Sequence, residues 1–364
     1  MSETKGQTKD QGATRVWLTT GTVMRNYVIE SRIAASGMGE VYLAKERTTK
    51  RPVALKILPA PPHCNAEQLE ALAQQMNSQP RPHHRNICET YEVGVTEKGK
   101  LFVASEYVIG HSLDELLMAK SPLDVEKIAE QLAAVFQAAH EGGFLHTDLK
   151  MSDVMLTADG KVKVLDFNLT KYKQLWERSE REALVPREKR PSRVRHLAPE
   201  QVNGLAHTAQ SDLFSLGTIL YELVTSFAPF TGETPLKVCA AIVWQKPETM
   251  TELALDAPIG LCALIDKLLE KDPSQRTVSA QVLLAELKAQ HVAAAPPPQH
   301  FGAAAFQASQ RFLVTDQGQM VTGFGKGMCQ LIFSDGANWA VLGLAAVVAC
   351  YALVSFLNII GLKH

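Results

Sequence analysis

A change of hydrophobic rhythm near Gly110 constrains the fold of this chain more than any other feature. Before it, apolar residues come in short runs: Tyr27-Val28-Ile29, Val41-Tyr42-Leu43-Ala44, Pro52-Val53-Ala54-Leu55-Lys56-Ile57-Leu58, and further runs over 88–95 and 101–108. Such runs, bounded by turn residues, read as strands. One stretch over 67–76, with Leu69, Leu72 and Met76 near helical spacing, reads as a helix among them. After Gly110 the period becomes helical. Ser112, followed by Asp114 and Glu115, opens one helix, because a serine cap and early acids complement a helix amino terminus. An amphipathic helix is expected over 125–140, ended by Gly142-Gly143. More helices are expected over 213–224, 236–243, 260–269 and 279–290. A hairpin about Ala158-Asp159-Gly160 interrupts them. The pattern predicts an α+β fold in which a small β-rich part precedes a larger α-rich part.

Composition adds exclusions. In 364 residues, 46% are apolar and 21% charged, ample for a buried core, and the net charge of -1 gives no global reason to expect a nucleic-acid partner. The six cysteines are scattered, with no CxxC pair and no zinc-ligand spacing, which fits a reducing compartment. The stretch up to Thr20 is polar and lacks the apolar core of a signal peptide. Near the other end, Pro296-Pro297-Pro298 begins a linker-like segment. Residues 339–361 then carry no charge. As a helix rising about 1.5 Å per residue they would span about 34 Å, enough for a hydrocarbon core about 30 Å thick. The expected organisation is a disordered amino terminus over 1–24, a folded domain over 25–291, a linker over 292–337 and a transmembrane helix over 338–362. Gly343, Ala345, Ala346 and Ala349 would let two such helices approach closely, as in a homodimer.

The chemistry is carried by residues in a fixed order. Val53-Ala54-Leu55-Lys56 sets a lysine in a strand, His146-Thr147-Asp148-Leu149-Lys150-Met151-Ser152-Asp153 gathers two acids and a cation, and Asp166-Phe167-Asn168 adds a third acid. Leu197-Ala198-Pro199-Glu200, Ser211-Asp212-Leu213 and Asp272-Pro273 with Arg276 follow. Phosphoryl transfer needs a cation on the phosphates, metal ligands and an acceptor for the hydroxyl proton. The ordered set resembles a bacterial, eukaryotic-like (Hanks-type) serine/threonine protein kinase from about Tyr27 to Gln290. The resemblance implies a bilobal kinase fold, with an N-lobe over about 25–108 and a C-lobe over about 109–291. It implies ATP and Mg2+ (or Mn2+) as cofactors and proteins as substrates. By the same resemblance Lys56 would hold the α- and β-phosphates, with Glu70 of the following helix as its partner and Glu67, one turn earlier, as the alternative. Asp148 would take the hydroxyl proton, Lys150 would stabilise the transferring phosphoryl group, and Asp153 and Asp166 would bind metal. Glu106 and Val108 would meet the adenine through their backbone. Glu200 and Arg276 would pair as scaffold.

The phosphate loop departs from the family pattern. Its positions read Ala34, Ser36, Gly37, Gly39 and Val41, so two glycines are replaced by the smallest side chains. Thr147, Asp153 and Asn168 also replace family residues, and the 187–195 stretch is rich in Arg and Lys. Two readings follow. The first is a membrane-anchored kinase with its catalytic domain in the cytoplasm. It keeps Lys56, Asp148, Lys150 and Asp166, the charges closest to the chemistry. The second is a pseudokinase serving as a nucleotide-binding or scaffold module at the membrane.

Overall fold

Strand alternation puts the first β-rich residues on two faces of one sheet. In the computed structural model, which describes residues 18–36, 39–182, 194–250, 253 and 257–294, this sheet holds β1 (Val23–Met24), β2 (Tyr27–Ser36), β3 (Gly39–Glu46), β4 (Pro52–Leu58), β5 (Thr90–Val95) and β6 (Leu101–Glu106). Their order is β1-β2-β3-β4-β6-β5, antiparallel throughout. Val53, Leu55 and Ile57 of β4 bury one face with Tyr27, Tyr42 and Phe102. A period of two turns Lys56 and Leu58 to the other face. That face is covered by α1 (Ala66–Ser78) through Leu69, Leu72, Ala73 and Met76. A capping box starts α1: Asn65 Oδ1 accepts from the Gln68 amide at 2.8 Å, and Gln68 Oε1 from the Asn65 amide at 2.9 Å.

The sheet begins earlier than expected. The expectation of disorder over 1–24 fails for its last residues: β1 pairs Val23 with Val28, and the Leu18 amide donates to the Tyr42 hydroxyl at 3.2 Å. The short apolar residues there were too few to register as a strand.

The larger part holds the hairpin and the helices. A three-stranded sheet, β7 (Gly110–Ser112), β8 (Val154–Thr157) and β9 (Val162–Val164), leads into the catalytic loops. The helices are α2 (Leu113–Met118), α3 (Val125–Glu141), α4 (Thr170–Glu182), α5 (Pro199–Val202), α6 (Ala209–Thr225), α7 (Pro235–Trp244), α8 (Ile259–Leu268) and α9 (Ala280–Ala294). Each helix expected over 113–290 has its counterpart, and α4 was not foreseen. One core built on α3, α6, α8 and α9 holds this part together. Two chain segments tie it to the first sheet: residues 107–109, and the stretch at Asn86–Cys88 paired with β9. In the latter, the Cys88 amide donates to Val164 O and the Val164 amide to Asn86 O, both at 2.8 Å.

The chain divides into two units, Met1–Ala295 and Pro296–His364, and all of the above belongs to the first. The segment expected to span a membrane lies outside the described residues, as does the linker beyond residue 294. Among the described residues no helix is long and apolar enough to cross a membrane.

Candidate active site

The site lies where β4, the loop 146–153 and the turn after β9 meet. Lys56 Nζ forms a close ion pair with Asp166 Oδ2, both side chains less than one fifth exposed. Asp166 stands in the left-handed region at φ 62°, ψ 14°. Asn168 follows within the single 3-10 turn Phe167–Leu169. The positive φ of this turn falls on Asp166, whose short side chain suits that region. Phe167 anchors the turn, its ring edge-on to His146 at 4.8 Å between centroids.

The loop 146–153 is held from beneath by a buried carboxylate. Asp212, at the start of α6, accepts from the His146 amide at 2.9 Å and the Thr147 amide at 3.0 Å, while His140 and His207 each place Nε2 on its oxygens. Burial alone would raise its pKa, but the contacts from His140 and His207 outweigh burial and hold the carboxyl well below its usual range. This suspension aims Asp148 and Lys150 at the cleft. Asp148 Oδ2 lies 3.4 Å from Lys173 Nζ of α4, and Lys150 Nζ lies 3.6 Å from Asp153 Oδ1.

Asp153 and Asp166 are a repelling buried pair. Burial, and then the neighbouring Asp166 charge, push Asp153 up to about 7. Burial would raise Asp166 too, but Lys56, then Lys173 and Lys150 hold it far below its ordinary value. Asp153 Oδ2 is buried and accepts no hydrogen bond. A divalent cation would relieve both strains, and these hard oxygen donors fit magnesium or manganese. Among the described residues no group of three or more His, Cys, Asp or Glu forms a protein-only metal cage. A magnesium ion that shares one or two carboxylates with nucleotide phosphates needs none.

His146 supplies a pH-dependent contribution. It is fully buried, and burial followed by the Lys173 charge lowers its pKa to about 4. Unfolded, the same imidazole titrates near ~6.5. The stability it contributes is therefore complete above ~6.5 and is lost as pH falls toward about 4. A loss of about 3 kcal/mol is expected across that window, and His146→Phe should flatten the pH dependence measured by thermal unfolding.

The other expected residues divide into those the structure gathers and those it does not. Ala34 pairs with Val41 and Ser36 with Gly39 at the end of the β2–β3 hairpin, while Gly37, at its tip, lies outside the described residues. Gly39 is required by packing as well as by any ligand: at φ +124° an added Cβ would stand 2.0 Å from Ile57 O. Glu106 ends β6 with its carboxylate 2.7 Å from Lys163 Nζ. Two residues on, Val108 is buried. The expected partnership of Lys56 with Glu70 is not formed. Glu70 is half exposed and meets Arg25 Nη2 at 3.6 Å, and Glu67 is exposed as well. The apolar face of α1 is occupied by Leu58, Val93, Val95, Leu101 and Val103 of the sheet together with Leu169 and Tyr172, and both acids lie away from that face. Arg25 holds its own end by donating from Nε and Nη2 to Val95 O at 3.1 and 2.8 Å.

Sequence reasoning also missed Tyr172 and Lys173. The signal was present as Leu169, Tyr172, Leu175 and Trp176 at helical spacing.

Comparison with known proteins agrees with this geometry. The protein kinase domain family matches residues 27–287. A probable serine/threonine-protein kinase of Clostridium acetobutylicum is 30% identical over 271 residues, covering 73% of this chain and 40% of that protein. A serine/threonine-protein kinase of Myxococcus xanthus is 30% identical over 277 residues, covering 74% and 50%. The serine/threonine-protein kinase PknB of Mycobacterium tuberculosis is 29% identical over 273 residues, covering 73% and 43%. This chain thus spans half or less of the length of these curated relatives. A crystal structure of the PknI kinase domain of Mycobacterium tuberculosis superposes with a TM-score of 0.55 at 21% identity, covering 76% of this chain and all of that one. At that identity the likeness bears on the bilobal fold alone.

Proposed function

Because this chain belongs to the protein kinase family, we propose that it transfers the γ-phosphoryl group of ATP to serine or threonine hydroxyls of protein substrates. The observation that carries this reading is the convergence of three lysines and three aspartates on one cleft, joined as Lys56–Asp166, Lys150–Asp153 and Lys173–Asp148. In this reading the hydroxyl oxygen forms a bond to γ-phosphorus, the bond from phosphorus to the β–γ bridging oxygen breaks, and ADP leaves. Asp148 orients the hydroxyl and takes its proton. Lys150 stabilises negative charge on the transferring group. Lys56 holds the α- and β-phosphates, and the backbone at Glu106 and Val108 meets the adenine. Asp166 and Asp153 are the oxygen donors for Mg2+ or Mn2+, which when bound neutralises phosphate charge.

Departures at Ala34, Ser36, Thr147, Asp153 and Asn168 leave all of these charges in place. Phosphoryl transfer depends mainly on positioning and electrostatics, so they fit an enzyme better than a scaffold. The uncharged run over 339–361 supports anchorage in the cell membrane, with the kinase domain on the cytoplasmic side.

Full-length protein incubated with γ-labelled ATP and Mg2+ or Mn2+ should place label on serine or threonine of itself or of a generic protein substrate. Lys56→Ala should abolish that label. No label under either metal, together with no thermal shift on adding ATP, would overturn the enzymatic reading. Recovery of the protein in the soluble fraction of its cell would overturn the membrane assignment.

A further inference from the structure

A separate cavity of about 270 Å³ adjoins the segment that joins the two parts of the domain. Arg81, His83, His84 and Arg85 line it from the chain between α1 and β5, Glu106 from the end of β6, and Lys163 from β9. Sites for drug-sized ligands begin at about 300 Å³, so the occupant that fits here is small. The charge of the lining is unevenly balanced. Glu106 has Lys163 Nζ at 2.7 Å, but neither guanidinium meets a carboxylate among the described residues. Arg81 is fixed by neutral acceptors, Thr90 O and Asn77 Oδ1, the latter at 3.1 Å. Arg85 is exposed and, among the described residues, forms no hydrogen bond or ion pair. Glu89 stands exposed on the same lining, so three fixed cations face two carboxylates. His84 responds to that field: burial, then the charges of Arg85 and His83, lower its pKa. Its Nδ1 accepts the Asn86 amide at 3.2 Å, so the neutral ring carries its proton on Nε2 as one more donor.

The same cavity touches the segment assigned to adenine. Buried Cys88 lines it and donates its thiol to Glu106 O at 3.4 Å. The Glu89 amide donates to Glu106 Oε2 at 3.3 Å. Glu106 is thus held at its carbonyl and at its carboxylate by residues of this one cavity.

We propose that this cavity binds a phosphate monoester dianion through Arg81, Arg85 and Lys163, and that its occupancy weakens adenine binding. The second half rests on the kinase reading above, in which the Glu106 backbone meets the adenine. Planar guanidinium forks match phosphate oxygens in pairs. A dianion attracts Lys163 more strongly than the single charge of Glu106 does. As Lys163 turns to the ligand, Glu106 loses its partner at 2.7 Å, and the strap that follows it loses an anchor. The two sites are therefore antagonistic, and by linkage each weakens the other by the same factor.

The test titrates the full chain calorimetrically with a capped phosphoserine peptide, its unphosphorylated form, inorganic phosphate, and adenosine, which probes the adenine segment without phosphates. Arg85→Gln removes one guanidinium and breaks no contact. Lys56→Ala removes the cation that would hold an anion in the catalytic cleft. The phosphopeptide should bind the parent and Lys56→Ala alike, and lose affinity on the order of ten-fold in Arg85→Gln. No binding to the parent, or a loss confined to Lys56→Ala, would overturn the proposal. Equal binding of the unphosphorylated peptide would overturn the choice of ligand. Inorganic phosphate that binds as tightly as the phosphopeptide supports the site with a free anion as its ligand; phosphopeptide binding alone supports it with a phosphorylated residue. Saturating phosphopeptide should weaken adenosine binding by roughly five-fold or more, and unchanged affinity would overturn the antagonism. If adenosine and ATP do not bind at all, the kinase reading fails separately, and the phosphopeptide titrations alone decide the site.

Discussion

Asp148→Asn is expected to slow phosphoryl transfer by roughly 10²- to 10⁴-fold, the contribution of a positioned general base, while leaving the affinity for MgATP undiminished. The substitution keeps the side-chain volume and removes only the charge and proton-accepting capacity. Asp148 belongs to the loop hung from Asp212 by backbone amides, so the loop should keep its path. The effect should appear in kcat measured at saturating ATP. A variant retaining more than a tenth of parental kcat would remove Asp148 from the proton-transfer role.

The largest effect on stability is expected at Arg276. Its guanidinium is 2% exposed and engages Glu200 through two parallel bonds, Nη1 to Oε1 at 2.8 Å and Nη2 to Oε2 at 2.9 Å. The remaining donors meet Glu270 O, Gln210 O and Lys271 O. Arg276→Met would strand the Glu200 carboxylate, 7% exposed, with Ser211 as its remaining side-chain donor. Removing one member of a buried pair costs about 3–5 kcal/mol, or about 6–20 °C of Tm for a domain of this size. Adding Glu200→Gln should recover part of that loss, because the uncompensated charge goes with it. Thermal unfolding of the two single variants and the double variant measures this. A double variant that loses the full sum would mean the two residues act separately.

Much of this architecture could be read from the sequence for a physical reason. Strand alternation fixes the face of β4 on which Lys56 falls, and helical period fixes the buried stripe of α1 and α3. Turn chemistry at Ala158-Asp159-Gly160 fixes the β8–β9 hairpin. These are local properties, and the sequence states them locally. The ordered acids and lysines were legible because the reaction dictates their type. The Glu200–Arg276 pair followed from the family resemblance, and the geometry bears it out. The errors arose where two distant segments compete for one surface. The choice of Glu70 as the partner of Lys56 assumed that α1 faces the cleft unobstructed. Nothing within α1 reveals that Tyr172 would join its apolar face, or that Glu70 would meet Arg25. The pattern of α4 itself was visible, but its consequence depends on a contact across more than a hundred residues of chain, between Tyr172 and Pro59.

The double attachment between the two parts of the domain has a mechanical consequence. One attachment is the covalent strap at residues 107–109. The other is the pair of backbone hydrogen bonds joining Asn86 and Cys88 to Val164, reinforced by Asn86 Nδ2 on Val162 O at 2.6 Å. Two fixed points define a line, and a body held at both can swing about that line but resists sliding or twisting off it. The cleft is therefore built like a door on two hinges. In the sheet order β1, β2 and β3 lie beyond β4, on the side away from the strands that flank the two attachments, so rotation at Val164 carries those strands through the widest excursion.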